Sequence, residues 1–421
     1  MKSKAYRAAD VNKINLSELR LEEGSANTVH AGLDIGKAFI LCVLRWGVND
    51  FDRPWRVRNP HDLPRLVELL LEVKRSRCVV VAMEPTGTYG DPARQALEQA
   101  GLLVHRVSPK NASDYAEVFD GVPSQHDGKD AAVIAELSAQ GKSWQWPMAK
   151  LTETEQELGY QVDWIDAQRR QMVVWSGRLE AMLSRHWPEA TEIVGLTSGS
   201  LLNCLAAYGG PRGLAADAES PKRNWARYLS STKVESLLLS GRQTRGVETG
   251  RWDEERLRRY AQQIQSCRKE IREGVRRLRE LAREHGKIRA MGKVVGVPTA
   301  CVLWADLGNP ERYSSGPAYR KGMGLNLAEH SSGKWEGTLR ISKRGSSRVR
   351  RWLYMAALRW VNKEPVRSWY LKQKAARRGE GKPAVIAVMR KLALAVYAVG
   401  GRNEPFDQKK LYESVTAIPL A

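Results

Sequence analysis

Residues 29–46 read VHAGLDIGKAFILCVLRW. Two apolar runs flank Gly36-Lys37, so the stretch predicts two strands joined by a tight turn, with Asp34 at the end of the first. Working outward, residues 61–76 (HDLPRLVELLLEVKRS) space their leucines as a helix does, and 78–85 (CVVVAMEP) predict a buried strand ending at Glu84. Residues 91–101 (DPARQALEQAG) predict a helix stopped by its glycine, 102–109 (LLVHRVSP) a strand, and 129–141 (KDAAVIAELSAQG) a further helix. Strands alternating with helices make an α/β domain reaching about Trp146. The polar residues 1–28 predict irregular chain with at most one short helix.

Acids in this domain fall where metal-dependent phosphoryl chemistry needs them. Asp34 and Glu84 stand at the working ends of predicted strands. Asp127 and Asp130, in HDGKDAAVIAEL (126–137), are three apart at a helix start and share one face. Taken singly they are ordinary: Asp34 a turn former, Glu84 an acceptor before Pro85, Asp127 an N-cap. Gathered, four carboxylates repel one another unless cations lie between them, and hard oxygen ligands suit Mg²⁺ or Mn²⁺. A phosphodiester is then the first substrate to consider. The order strand, later strand, late helix is that of ribonuclease-H-like metal sites.

Beyond this domain the periodicity changes. Residues 151–187 open with Thr152-x-x-Glu155, a capping-box pattern, and space their apolar residues at about 3.6. Residues 252–285 predict a second long, charged helix. The two would pair antiparallel as an arm, with short helices and exposed loops between them at about 191–249. From about Ile288 the chain reads as a glycine turn followed by a helix, a Ser-Gly loop, a basic helix and a final amphipathic helix over 382–401. That block should be mostly helical.

The formal net charge is +21 and the pI near 9.8. Most of the excess lies from Gly286 onward, where 26 Lys and Arg face 9 Asp and Glu. A basic block of this kind attracts nucleic acid. It also holds Trp335, Trp352, Trp360 and Trp369, some of them core and some able to stack on bases. Lys343, Arg344, Arg348, Arg350 and Arg351 combine a loop with one helix face, a spacing suited to holding phosphates. Five scattered cysteines (Cys42, Cys78, Cys204, Cys267 and Cys301) have neither zinc spacing nor a disulfide framework and imply a reducing compartment. No secretory h-region and no run of about 18 apolar residues is present, so a cytoplasmic protein with no membrane partner is expected.

These motifs resemble those of the DEDD transposases of the insertion sequence 110 family, whose first domain resembles RuvC resolvase. Asp34 in GLDIG matches the first Asp, Glu84 in MEPTGTY the Glu of E-x-T-G-x-Y, and Asp127 and Asp130 in DGKDA the D-x-x-D-A pair. Ser124-Gln125-His126 stands where the family has Ser-Lys-Thr. The C-terminal block resembles the family's second domain through VVGVPTA, GLNL, SSG and KRGSSRVRRWL. Val294, Leu327 and Ser346 depart there from a glycine, a proline and an asparagine. The resemblance covers about 29–190 and 285–400. It implies a serine nucleophile at Ser332, with Ser331 the alternative; Arg340 and Lys334 bracket that loop, a placement suited to offsetting charge on phosphorus. It also implies a structured noncoding guide RNA, DNA partners at the element end and the target, and a homodimer or homotetramer that shares its active site between subunits.

The expected organisation is therefore a polar segment (1–28), a RuvC-like catalytic α/β domain (29–148), a long-helix arm (149–285), a C-terminal transposase domain with the serine loop (286–402) and a tail (403–421). Two other readings compete with a recombinase. One is a RuvC-like nuclease that hydrolyses branched DNA with two metal ions. The other is a basic scaffold with a decayed site, which four intact acids argue against.

Overall fold

The computed structural model describes residues 7–19, 27–85, 87–119, 127–148, 150–217, 229–328, 340–377, 379–409 and 411. The chain forms two compact units, 1–150 and 151–421.

Unit 1 is built on one mixed sheet. Its strands are β1 (Ala9–Asp10), β2 (Thr28–Ile35), β3 (Phe39–Gly47), β4 (Asp50–Phe51), β5 (Trp55–Arg58), β6 (Cys78–Met83), β7 (Leu103–Val107) and β8 (Ser143–Gln145). The order is β1-β5-β3-β2-β6-β7-β8, with β4 paired to β3. β2 runs antiparallel to β3 and parallel to β6, and β6 runs parallel to β7. An antiparallel hairpin at the centre, continued by parallel strands, is the expected ribonuclease-H-like arrangement. The turn after Ile35 closes with Gly36 N–H donating to Phe39 O. Within the described residues 7–19 the chain is less irregular than expected, because Ala9 and Asp10 add a parallel strand beside Trp55 and Arg56.

Side chains alternate across a strand, and β2 uses both faces. Val29, Ala31, Leu33 and Ile35 are buried in a cluster with α1 (Leu63–Ser76) and α2 (Asp91–Gln99). His30, Gly32 and Asp34 share the other face. It is covered by α4 (Asp127–Ala139), and α3 (Pro109–Phe119) packs in turn on α4.

Unit 2 is helical. α5 (Glu153–His186) and α10 (Arg251–Glu284) pair antiparallel along their length. Glu157 meets Arg277, Trp164 donates to Glu270 at 3.0 Å, and the Trp175 and Tyr260 rings lie 5.6 Å apart. The Thr152–Glu155 capping box is present at the start of α5. Between the two helices come α6 (Pro188–Val194), α7 (Gly199–Tyr208), α8 (Pro211–Ala216) and α9 (Ser231–Gln243). They are more than short helices and loops. Trp187, Leu201, Leu205, Leu237 and Leu257 belong to a buried core that caps this end of the arm.

The C-terminal block contains α11 (Gly286–Val295), α12 (Val297–Leu307), α13 (Gly316–Gly322), the hairpin strands β9 (Leu327–Ala328) and β10 (Arg340–Ile341), then α14 (Ser347–Trp360), α15 (Val366–Ala376) and α16 (Gly381–Gly401). The expected glycine turn at the start of this block is itself helical. α11 runs from Gly286 to Val295, buries Ile288, Met291, Val294 and Val295, and only then turns at Gly296. By length and apolar composition α16 could cross a bilayer, but over half of it is buried within this unit and it carries Arg390 and Lys391 midway. It is the central core helix, packed on α11, α13, α14 and α15. The same core takes in Leu158, Val162 and Ile165 of α5 and Leu278 of α10, so arm and C-terminal block share one interior.

Candidate active site

The acids converge in unit 1. One carboxylate oxygen from each of Asp34, Asp127 and Asp130 lies within 4.8 Å of the others. The strand register pairs Leu33 with Met83, which sets Glu84 level with Asp34 one strand away. Glu84 stands outside the tight three-acid group but is within electrostatic reach of Asp34 and Asp130. Burial pushes the Asp34 carboxyl up to about 6, helped by the negative charges of Asp130, Asp127 and Glu84. Burial, and then Asp130, also raise Glu84. An all-oxygen donor set whose members resist ionising together fits a hard divalent cation.

Gly32 brings the two halves of this cluster together. It shares a sheet face with Asp34, and a Cβ built on it would lie 2.0 Å from Ala131 O and 2.5 Å from Ala135 N. Only a residue without a side chain lets α4 approach β2 that closely. Further along the same face, His30 Nδ1 is 3.0 Å from Ser138 Oγ, and Arg45 pairs with Glu136. These contacts hold the far end of α4 to the sheet.

In unit 2 the expected serine loop lies outside the described residues, and with it Ser331, Ser332, Lys334 and Trp335. Residues 329–339 join β9 to β10, so the described stem fixes where the loop begins and ends. Lys343 N–H donates to Gly324 O at 3.1 Å, and Ser342 N–H to Asn326 O at 2.7 Å. Arg350 Nη1 donates to Met323 O at 3.3 Å and to Gly345 O at 2.8 Å, joining the two ends of the stem. Gly345 adopts φ 147° and lies against the backbone of Gly322 and Gly324, where a Cβ would not fit.

Two family models match the chain, one over each of the regions just described. Residues 31–188 match a family described as "Transposase" of the DEDD IS110 type, and 292–372 match "Transposase IS116/IS110/IS902 family". Together they span more than half of the chain. The chain belongs to the IS110 family of DEDD transposases. No curated protein matches it. Among solved structures, T. thermophilus RuvC in complex with a Holliday junction substrate is similar at 16% identity and a TM-score of 0.23, over 28% of this chain and 99% of that one.

The basic residues of this transposase divide into two groups. Arg340, Lys343 and Arg344 are exposed. Arg348 is held by Asp306 and Asp163, and Arg351 by Asp166. Arg350 is engaged by backbone carbonyls. These three arginines, all partly exposed, tie the start of α14 to α12, the stem and the arm, whereas the first group is exposed. Trp360 Nε1 donates to Val294 O, Trp369 packs against the core, and Trp352 lies under Arg169. The sequence reading passed over Gly32, Asp163, Asp166 and Asp306. GLDIG held the signal for the first, as a glycine inside a strand marks close backbone approach. The three acids gave none. The cluster, together with family membership, implies use of a divalent cation.

Proposed function

We propose that this transposase exchanges DNA strands through a phosphoserine at Ser332, addressed by a structured noncoding RNA, with Mg²⁺ or Mn²⁺ held by Asp34, Glu84, Asp127 and Asp130. The gathering of three carboxylates within 4.8 Å carries the reading. When bound, the cation supplies Lewis acidity beside the scissile phosphate. Ser332 Oγ attacks phosphorus and forms the O–P bond as the P–O bond to the leaving sugar oxygen breaks. The serine proton passes to an acceptor, and the leaving oxygen takes one up. The number of phosphoester links is unchanged, which keeps religation possible. Arg340 and Lys334 offset the charge that grows on the phosphoryl oxygens. Lys343 and Arg344 hold the backbone of the element end or target. Base pairing with the RNA supplies the sequence, in the manner of other guided systems.

Labelled DNA incubated with protein and Mg²⁺, then denatured, should leave label on the protein. Ser332→Ala should lose that band and all strand exchange yet still bind DNA. If Ser332→Ala cleaves as well as the parent, water is the attacker and the structure-selective nuclease becomes the better reading. If Ser331→Ala alone is inactive, the nucleophile is its neighbour. The purified protein should carry a discrete RNA, and unchanged sequence-specific exchange after RNase treatment would sink the guided part.

A further inference from the structure

Two partly buried arginines of unit 2 lie within electrostatic reach of each other and have no carboxylate partner among the described residues. Arg320 is on α13 and Arg390 on α16. The helices cross where Gly316 lies against Leu394 and Tyr397. Arg320 is one turn on from that crossing and Arg390 one turn before it, so both fall on the same side of the contact. Both are partly buried, and the Nε of each is buried with no acceptor. Neither makes an ion pair with any described residue. Burial lowers the Arg390 guanidinium from its ordinary range, and the Arg320 charge lowers it further.

This arrangement is unfavourable as it stands. A buried N–H without a partner costs roughly 1–3 kcal/mol. Two like charges partly withdrawn from water add repulsion that no described acid offsets. Several other arginines of this unit do have acceptors: Arg348 in Asp306 and Asp163, Arg351 in Asp166 although its Nε is left without one, Arg350 and Arg359 in carbonyls. A guanidinium pair with no acid partner among the described residues has the donors of an oxyanion site, since each fork presents parallel N–H groups to phosphate oxygens.

We propose that Arg320 and Arg390 form a phosphate-binding site that takes a phosphodiester of the bound nucleic acid. α13 leads through Met323 and Gly324 directly into β9, so a backbone seated here would be anchored next to the hairpin stem. The identity of the anion rests on the nucleic-acid reading; the existence of the site does not.

The test uses the full-length protein freed of nucleic acid. Inorganic phosphate, titrated against chloride at constant ionic strength, should raise the melting temperature of the parent. Arg320→Gln and Arg390→Gln should start at or above the parent melting temperature, because each removes the repulsion, and should lose the phosphate increment. Arg390→Lys, which keeps a charge, should retain part of it. With duplex DNA or structured RNA, each Gln variant should reduce the slope of log affinity against log salt by roughly 0.7–0.9. A lost phosphate increment with an unchanged slope supports the anion site and identifies its ligand as free phosphate rather than backbone. Gln variants that melt lower than the parent while keeping the full phosphate increment overturn the proposal, for the arginines would then be structural. Ser332→Ala should leave the increment intact, so failure of the serine mechanism cannot be mistaken for failure of this site.

Discussion

Asp34 is where burial and like charge meet, and its chemistry predicts two opposite effects of one substitution. Asp34→Asn should lower strand exchange by at least on the order of 10²-fold, since it removes a charge from the set that neutralises phosphate. Gel-based recombination assays would read this, with circular dichroism and nucleic-acid binding unchanged. Normal exchange by the variant would remove Asp34 from the site. Stability should move the other way. The folded-state pKa of about 6 exceeds the ordinary carboxyl value of 3.8, so folding favours the protonated form. That contribution is fully present below about pH 4 and is lost as pH rises through 6. In chelator, Asp34→Asn should therefore be more stable than the parent above pH 6, by roughly 1–2 kcal/mol once solvent screening is allowed. Near pH 4 the two should melt together. Adding Mg²⁺ at pH 7.5 should stabilise the parent and leave the variant unmoved. A variant that melts below the parent at pH 7.5 without cation would show that Asp34 is held by hydrogen bonds rather than strained by its neighbours.

At the scale of elements, the site depends on how closely α4 lies on β2 and how firmly the β9–β10 stem is closed. Gly32→Val would drive a side chain into Ala131 O, so α4 must lift, carrying Asp127 and Asp130 away from Asp34. A loss of roughly 2–4 kcal/mol and of all Mg²⁺-dependent stabilisation is expected in thermal melts. Wild-type metal response in Gly32→Val would mean that the helix positions its acids independently of the strand. Arg350→Gln should speed hydrogen exchange at the Ser342 and Lys343 amides, which close the stem, while α16 keeps its protection. It should reduce phosphoserine formation more than DNA affinity, whereas Arg344→Ala should do the reverse. Equal protection in parent and Arg350→Gln would free Arg350 for a direct phosphate role. Much of the frame was legible in the sequence, because Asp34, Glu84 and the Asp127–Asp130 pair sit in short local patterns: strand ends and a helix start. What was not legible comes from packing between distant segments. Arg350 and Arg351 read as one cationic face, yet Asp166, 185 residues before Arg351, claims that guanidinium. Gly292 and Gly296 read as one turn, yet Gly292 is helical, because Ile288, Met291 and Val295 bury a helical face that outweighs the glycine penalty of about 1 kcal/mol, and the chain turns only at Gly296.

For the whole molecule, the net charge of +21 overstates the positive charge offered to nucleic acid, since Arg348 and Arg351 are paired with carboxylates. Lys343→Ala and Arg344→Ala should each lower the salt slope of binding by roughly 0.7–0.9. Arg348→Ala and Arg351→Ala should leave the slope alone but destabilise the fold, on the order of 3 kcal/mol for Arg348, whose loss strands Asp306 with its charge largely buried. Equal slopes for all four variants would dissolve the distinction between the two groups. The acids belong to unit 1 and the serine loop to unit 2, which raises the question of whether one subunit supplies both. The arm bears on it: Tyr160, Val173, Val174 and Trp252 are exposed on the paired helices, more apolar surface than a solvated arm needs. If active sites form between subunits, mixing equal amounts of Asp34→Asn and Ser332→Ala proteins, each inactive alone, should restore phosphoserine formation. In randomly exchanging dimers half the molecules are mixed, and one of the two sites in each joins intact acids to an intact serine. About one quarter of all sites then recover. If each subunit completes its own site, every site in the mixture carries one defect and no adduct forms. Val173→Asp with Val174→Asp, tested in the intact background by light scattering on the nucleic-acid-bound protein, asks whether the arm holds the assembly together. Loss of the dimer together with loss of adduct assigns the arm that task, while an intact dimer moves the interface elsewhere and leaves the mixing result to stand on its own.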